Sequence, residues 1–223
     1  MKLIDFHTHT IPWADHGSSS VETSLFQINS AKQIGIETIV ATPHFYPQYE
    51  NVERFIERRN SCFDRLNEQL TDEHPDIILG AEVLICDNIE AMPGLDQLCL
   101  GETRLLLIEL PFTDFSDAHV YSIKMLIKQG YTVVLAHADR YDPDNIERLI
   151  AVGAKIQLNA DSLSKLFVQP HIKDWIERDK VIAIGSDIHG EDPKAYKRFK
   201  KAMKRLGNSL DYVMSSSEEL LAT

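Results

Sequence analysis

Short apolar runs alternate along this chain with segments of helical character, and this alternation restricts the fold more than any other feature. The strand-like runs cover residues 3–7, 37–41, 76–84, 104–110, 132–136, 155–158 and 181–185. Capping signals and apolar periodicity predict helices over residues 20–34, 52–70, 117–128, 143–152, 162–178 with a break near Pro170, 195–205 and 209–221. Because parallel strands need such crossover helices, the pattern predicts an α/β fold. We expect one domain over residues 1–223, a seven-stranded (β/α) barrel, with a doubly wound open sheet as the alternative.

Charge and hydropathy exclude several classes of protein. A net charge of −11 argues against nonspecific binding to nucleic acid or to an anionic membrane surface. No apolar stretch approaches the roughly 20 residues of a membrane span. The first residues also lack the basic and apolar regions of a secretory signal. We therefore expect a cytoplasmic protein that does not insert into membranes, and assembly into a homo-oligomer stays open.

The three cysteines, Cys62, Cys86 and Cys99, are widely spaced and form no Cys-x-x-Cys pair. This spacing indicates neither a disulfide framework nor a zinc knuckle. A cysteine-dependent phosphatase needs an arginine six positions after its cysteine, and none of the three cysteines has one. That chemistry is excluded.

Six of the seven strand-like runs end in an imidazole or a carboxylate. In a barrel the carboxyl ends of the strands form one face, and active sites lie on that face. Because chance would scatter these residues along the strands, we interpret them as one site. The side chains are His7, His9, His44, Glu82, Glu109, His137, Asp187 and His189, with Asp15 and His16 in the loop after the first run.

A purely structural role must be weighed for each of these residues. A single loop histidine such as His44 is commonly satisfied by packing and hydrogen bonding. A carboxylate directly after an apolar run, as at Glu82 and Glu109, is costly to bury unless it is paired or bound to a metal. Asp15 could orient a metal ligand by hydrogen bonding to it instead of binding the metal itself. Three further histidines lie away from strand ends and are interpreted as surface or packing residues: His74, His119 and His171.

The number of candidate ligands predicts more than one metal ion. They are His7, His9, His16, His44, Glu82, Glu109, His137, Asp187 and His189. A structural zinc ion needs only four ligands, whereas nine with bridging carboxylates fit two or three ions of higher coordination number. Imidazole and carboxylate without thiolate suit manganese, iron or zinc better than copper.

A site of this composition would carry net positive charge and would favour a phosphate dianion as its ligand. The positive charge of three divalent ions would exceed the negative charge of the three ligand carboxylates. Arg140 can add a bidentate pair of hydrogen bonds to phosphate oxygens. The expected reaction is attack of metal-bound hydroxide on phosphorus without a covalent enzyme intermediate. We assign Arg140, Asp187 and His189 as the catalytic residues.

Short motifs throughout the chain resemble those of the PHP (polymerase and histidinol phosphatase) superfamily. They are His7-Thr8-His9, Asp15-His16-Gly17, Thr42-Pro43-His44, Ala81-Glu82, Ile108-Glu109, Ala136-His137 and Ser186-Asp187-Ile188-His189. The spacing, together with Arg140-Tyr141 after Ala136-His137, is similar to the CpsB-type branch of bacterial manganese-dependent protein-tyrosine phosphatases.

The resemblance implies a distorted seven-stranded barrel holding three metal ions, manganese being preferred and iron or zinc the alternatives. It implies that Glu82 bridges ions and that Arg140 contacts the substrate phosphate. It also implies a partner, the phosphorylated tyrosine cluster of a tyrosine autokinase in capsule and exopolysaccharide synthesis.

Two positions depart from the pattern of this branch. The loop that often reads Asp-Asp-Gly is Asp15-His16-Gly17 here, which changes one candidate ligand to an imidazole. The arginine that often precedes the proline after the last histidine is absent, because the chain reads Glu191-Asp192-Pro193. One phosphate contact is then missing, with Lys194 as a candidate replacement.

Three functions follow as hypotheses. The first is a protein-tyrosine phosphatase, in which Phe45 and Tyr46 pack against the phenyl ring of the substrate. The second is a small-molecule phosphatase of the histidinol-phosphate type. The third is a metal-stabilised binding or regulatory domain without catalysis.

Overall fold

Strands form at all seven predicted runs, but the third run contains two strands and a further short strand follows the second run. The computed structural model describes residues 2–111, 113 and 115–222. The strands are β1 (Ile4–Thr8), β2 (Thr38–Ala41), β3 (His44–Phe45), β4 (Asp76–Leu79), β5 (Glu82–Leu84), β6 (Leu105–Glu109), β7 (Thr132–Leu135), β8 (Lys155–Asn159) and β9 (Val181–Gly185).

The strands form two parallel sheets. The first sheet has the order β1-β2-β4, and the second has the order β3-β5-β6-β7-β8-β9. The predicted closed barrel of seven strands is therefore not found, because the breaks at Thr42-Pro43 and Gly80-Ala81 move the chain from one sheet to the other. The coarser prediction of an α/β fold with parallel strands is confirmed.

Backbone hydrogen bonds join the ends of the two sheets where the polar residues lie. Asp187 N donates to His7 O (2.8 Å), and His9 N donates to Ile188 O (3.3 Å). Within the second sheet, Glu82 N donates to Pro43 O (3.1 Å), which extends the pairing of β3 with β5. The first and last strands therefore end side by side.

The helices follow the predicted pattern with one division. They are α1 (Val21–Lys32), α2 (Val52–Asn67), α3 (Asp117–Lys128), α4 (Pro143–Ala151), α5 (Ala160–Ser164), α6 (Pro170–Glu177), α7 (Ala195–Leu206) and α8 (Leu210–Leu221). The break predicted near Pro170 is confirmed, because α5 and α6 are separate helices and Pro170 suits the first turn of a helix but not its interior. In the part of the chain that is described, no helix is both long and apolar enough to cross a membrane.

Several strands are covered on both faces, which explains why they are largely apolar runs. All residues of β1, β6 and β9 are buried. At the end of β9, Gly185 lies where β1 approaches most closely. A Cβ atom at Gly185 would lie 2.5 Å from His7 Cβ and 3.1 Å from His7 N. Only a glycine allows the two strands this spacing.

Replacing Gly185 by alanine is expected to lower the free energy of unfolding by about 1–3 kcal/mol, because the added methyl group overlaps the backbone of β1. Urea unfolding of the metal-free protein, followed by circular dichroism, measures the change. An unchanged unfolding midpoint would show that β1 and β9 are not packed as described.

Candidate functional site

The predicted residues converge on one buried carboxylate, that of Glu82. Its side chain is fully buried, and four imidazoles approach its two oxygens. His137 Nε2 lies 2.7 Å from Oε1. Around Oε2, His44 Nδ1 lies at 2.9 Å, His7 Nε2 at 3.2 Å and His9 Nε2 at 3.3 Å. One carboxylate thus links the ends of four different strand runs.

Two further carboxylates flank this centre on opposite sides. Asp187 Oδ1 lies 3.2 Å from His9 Nε2. Glu109 Oε2 lies 3.6 Å from His44 Nδ1, and its Oε1 lies 3.8 Å from His137 Nε2. The Asp187 separation is within hydrogen-bonding distance, whereas both Glu109 separations are longer, so Glu109 faces the imidazoles of His44 and His137 across a gap.

His189 and His16 lie at the outer side of the cluster. The His189 ring is 4.1 Å from the His9 ring between centroids, and its Nδ1 lies 3.6 Å from Asp187 Oδ1. The exposed His16 ring lies 4.7 Å from that of His189 and 5.0 Å from that of His44. The structure therefore brings all nine predicted ligands together, with His16 at the rim.

Within the described residues, three groups could each hold a metal ion, their donor atoms lying within 4.8 Å of one another. The groups overlap in His9, His44 and Glu82, which is the arrangement of neighbouring ions that share ligands. The groups are His9-His44-His189, His7-His9-Glu82 and His44-Glu82-Glu109.

Several buried donor atoms of the site lie close together without forming well-directed hydrogen bonds. In the part of the chain that is described, Glu82 Oε2, Glu109 Oε2 and His44 Nδ1 are buried and make no hydrogen bond of acceptable geometry, although His44 Nδ1 lies 2.9 Å from Glu82 Oε2. Buried polar atoms are normally satisfied, so unpaired ones need an explanation. The donor types and the unpaired atoms both fit a divalent cation.

The buried carboxylates raise the pKa of two neighbouring histidines, His44 and His9. Burial opposes protonation of His44, but the Glu109 and Glu82 carboxylates raise its pKa to about 9. Burial likewise opposes protonation of His9, yet the adjacent Asp15 carboxylate raises its pKa well above the usual range. Because metal ligands must be deprotonated, a bound cation would displace these protons, and its affinity would fall as the pH falls.

His189 behaves in the opposite way. Burial and the nearby His9 lower the pKa of His189 to about 4, so its imidazole is uncharged at neutral pH. Burial raises the pKa of Asp187, but His7 and His9 more than reverse this effect and the net pKa is low. These two side chains are therefore in the protonation states that metal binding needs.

Asp15 orients the centre from behind. The ring of His9 donates from Nδ1 to Asp15 Oδ2 (2.6 Å), which leaves Nε2 facing Glu82. The same carboxylate accepts from His44 N (3.0 Å) and from Gly17 N (2.8 Å). A Cβ at Gly17 would lie 2.0 Å from His9 Cβ, so this loop can approach β1 only with glycine there.

Two amide side chains on β8, those of Gln157 and Asn159, contact the candidate ligands and were not predicted from the sequence. The fully buried Gln157 accepts from His137 N (2.7 Å) and from His7 Nδ1 (3.2 Å), and it donates to Asn159 Oδ1 (3.1 Å). Asn159 Nδ2 donates to Asp187 Oδ2 (2.9 Å). A sequence feature could have indicated them. The strand-like run at residues 155–158 is the one that ends in neither an imidazole nor a carboxylate, and it carries Gln157 with Asn159 directly after it.

Two candidate ligands have left-handed backbones, which side-chain-bearing residues rarely adopt. The φ angle is +33° at His137 and +51° at Asp187. Hydrogen bonds hold both residues in place, from His137 N to Gln157 and from Asp187 N to His7 O. Such conformations concentrate at functional sites, where surrounding structure compensates for the strain.

The three residues predicted to contact the substrate, Phe45, Tyr46 and Arg140, differ in their exposure. Phe45 is 1% exposed and packs against Phe55 at 5.3 Å between ring centroids, so its predicted contact with substrate is wrong. Tyr46, by contrast, is half-buried and stacks on the His44 ring at 5.0 Å. Arg140 is half-exposed and donates from its guanidinium to Asp187 Oδ2.

Replacing Gln157 by leucine is expected to weaken binding of Mn²⁺ about 10- to 100-fold, because His7 and His137 lose the amide that orients them. Calorimetric titration of the chelator-treated protein measures the affinity. The matched control is Gln129→Leu, at the exposed end of α3, which should bind as the parent does. Equal affinities of both variants, each with a cooperative unfolding transition, would contradict this role.

Comparison with known proteins agrees with this geometry. A family model described as "Capsular polysaccharide synthesis, CpsB/CapC" matches residues 3–217. Tyrosine-protein phosphatase YwqE of Bacillus subtilis is 27% identical, covering 98% of this chain and 91% of its own. Tyrosine-protein phosphatase CpsB of Streptococcus pneumoniae is also 27% identical, covering 86% of this chain and 85% of its own.

A solved structure gives the same result at the level of the fold. It is described among the crystal structures of YwqE from Bacillus subtilis and CpsB from Streptococcus pneumoniae, metal-dependent tyrosine phosphatases. It superposes with a TM-score of 0.84 at 25% identity, covering 99% of this chain and 94% of the other. By its sequence match over nearly its whole length, this chain belongs to the CpsB/CapC family.

Proposed function

We propose that this protein is a metal-dependent phosphomonoesterase that removes phosphate from tyrosine residues of proteins. The observation that carries the proposal is the buried Glu82 carboxylate, which four imidazoles approach beside the half-exposed Arg140 guanidinium. Candidate cation-binding groups and a guanidinium that can bind phosphate thus lie next to one another. The relatives named as tyrosine-protein phosphatases support the choice of substrate.

The nine predicted ligands would hold divalent ions, and we propose three of them. Manganese is the preferred ion, with iron or zinc as alternatives. Bound ions would supply an activated water and neutralise the charge that develops on the phosphoryl group. Glu82 is placed to be shared between ions, since its two oxygens face different imidazoles.

The side chains of this protein bind and orient the phosphate. Arg140 donates to Asp187, which fixes the guanidinium plane while its half-exposed face stays open to a ligand. Asn159 holds the same carboxylate through Oδ2, so Asp187 couples the phosphate fork to the imidazoles. A tyrosine leaving group has a pKa of about 10 and needs little help from a general acid.

The half-buried ring of Tyr46 provides an apolar surface next to the candidate metal ligands. It stacks on His44, and Tyr49 meets it edge-on at 6.1 Å between ring centroids. A phenyl ring attached to the bound phosphate can pack against this surface. We retain Tyr46 as a substrate contact on that ground.

We further propose that residues 1–223 form one domain and that the two sheets together work as a distorted seven-stranded barrel. The hydrogen bond from Asp187 N to His7 O, which links the ends of β9 and β1, supports this description. A bacterial tyrosine autokinase of capsule or exopolysaccharide synthesis is the proposed substrate protein, in the cytoplasm. The family description, which names capsular polysaccharide synthesis, supports that partner.

A substrate panel tests the function. The chelated and then manganese-reconstituted protein is assayed on a phosphotyrosine peptide, a phosphoserine peptide and histidinol phosphate. We expect the phosphotyrosine peptide to be hydrolysed fastest. Preference for histidinol phosphate would overturn the tyrosine assignment, and no turnover with metal bound would leave a binding or regulatory domain.

Replacing Arg140 by alanine is expected to lower kcat/KM for the phosphotyrosine peptide about 100-fold, because a donor to the phosphoryl oxygens is lost. The bound metal should stay at the parent level, since Arg140 is not among the donor groups. The control is Arg148→Ala, whose guanidinium pairs with Asp117 on α3. Unchanged activity of the Arg140 variant would reject the assignment.

A further inference from the structure

A groove lined by cations lies where α5 ends against α7. Its charged lining residues are Lys165, Lys201, Lys204 and Arg205, and we call it the basic groove. Leu163, Ser164 and Leu166 complete its walls, and its volume is about 500 Å³. Its lining contains no carboxylate among the residues described.

The cations of the basic groove are exposed and have no acidic partners. Among the described residues, no carboxylate lies within 4.0 Å of the charged groups of Lys201, Lys204 or Arg205. Arg205 donates only to the carbonyl of Lys165 (3.0 Å). Arg198, on the same helix, differs because it pairs with both Asp161 and Asp192. The groove therefore offers uncompensated positive charge to a ligand.

Helix stability does not explain this concentration of charge. The 12 residues of α7 contain six Lys or Arg and no Asp or Glu, in a chain whose net charge is −11. The apolar face of α7 is already buried through residues such as Phe199 and Leu206. Like charges at i, i+4, as at Lys201 and Arg205, are destabilising. Only Lys204 and Arg205 lie in the last turn, where the helix dipole favours positive charge, so helix stability does not account for the other four basic residues.

Exposed apolar side chains adjoin the cations. Leu166 is 81% exposed and Phe167 is 85% exposed, the two most exposed large apolar residues among those described. Cations beside such residues fit a ligand that carries both negative charge and apolar side chains. An acidic polypeptide segment has this chemistry.

The basic groove is connected to the active site through α5. That helix begins at Ala160, directly after Asn159, whose side chain holds Asp187. Ser162 within it donates to Asp139, the neighbour of Arg140. A helix of five residues extends about 8 Å, which an extended peptide covers in about three residues.

We propose that the basic groove binds an acidic segment of the protein substrate, a few residues away from the phosphotyrosine in the active site. This inference rests on the proposed function. Because the basic groove lies only one short helix away from the active site, the chain that carries the phosphotyrosine can reach it, so we assign it to the peptide. The groove would then select among phosphotyrosine proteins by the charge around the modified residue.

The test reverses the charge of two groove residues, Lys201→Glu with Lys204→Glu. The control reverses Lys124 and Lys128, exposed lysines on α3. The substrates are a phosphotyrosine peptide with flanking glutamates, the same peptide with glutamines, and p-nitrophenyl phosphate. We expect kcat/KM of the groove variant for the acidic peptide to fall at least about fivefold, mainly through KM. Activity on the other two substrates, and the control variant on all three, should stay within about twofold of the parent.

Several outcomes would overturn the proposal. They are an equal loss on the glutamine peptide, an equal loss in the control variant, or unchanged kinetics on the acidic peptide. Loss of binding to phosphatidylserine vesicles with unchanged peptide kinetics would assign the groove to a membrane surface instead.

Failure of the proposed function is distinguishable from failure of the groove. If the parent hydrolyses no phosphotyrosine peptide, the function is wrong, and fluorescence anisotropy with unphosphorylated acidic and glutamine peptides still tests the groove. Preferential binding of the acidic peptide that the groove variant loses would support it. Equal binding of both peptides would reject it.

Discussion

The rest of this structure depends on keeping the charge of Glu82 inside a buried site. A carboxylate removed from water is strongly destabilising unless positive charge and hydrogen bonds surround it. His7, His9, His44 and His137 all lie within 3.3 Å of its oxygens. Burial raises the pKa of Glu82, but these imidazoles reverse the effect and hold it well below its usual range. The strand ends must therefore meet at this point.

The breaks after the second strand run and within the third serve that meeting. β3 and β5 pair in parallel with His44 directly opposite Glu82. Without the breaks after Ala41 and Leu79, both runs would continue in the first sheet, where β2 and β4 pair. Gly80 lies at the second break, where it lets the chain approach Leu100 closely, since a Cβ there would lie 2.2 Å from Leu100 Cδ2 and 3.3 Å from Leu100 Cα. The departure from a regular barrel is thus tied to the site it builds.

The convergence of ligands could be predicted from the sequence, because the carboxyl ends of parallel strands lie on one face whatever the details of the sheet. The division into two sheets could not, since the apolar runs show where strands form but not which strands pair with one another. Phe45 was misplaced because a strand of two residues has no alternation from which to read its buried side. Gln157 was missed because its role depends on hydrogen bonds to His7 and His137 and not on charge.

Charge is unevenly distributed over the whole molecule, and the site and the basic groove use it in different ways. In the site, buried carboxylates create a demand for cations that histidine protons meet in the absence of metal. On α7, exposed lysines meet no carboxylate of the described chain and remain available to an anionic partner. A phosphoprotein substrate would engage both, its phosphate at the cations and its acidic flank at the helix.

Counting the metal bound per chain in the Glu82→Gln variant tests the central claim most directly. The parent protein and a Glu53→Gln control on the exposed face of α2 are measured beside it by elemental analysis after reconstitution with manganese. Glu82 is fully buried among the imidazoles, whereas Glu53 is exposed. We predict more than one ion per chain in the parent and control, and loss of most of the bound metal in a folded Glu82→Gln protein. Retention of the full metal content by that variant would contradict the account.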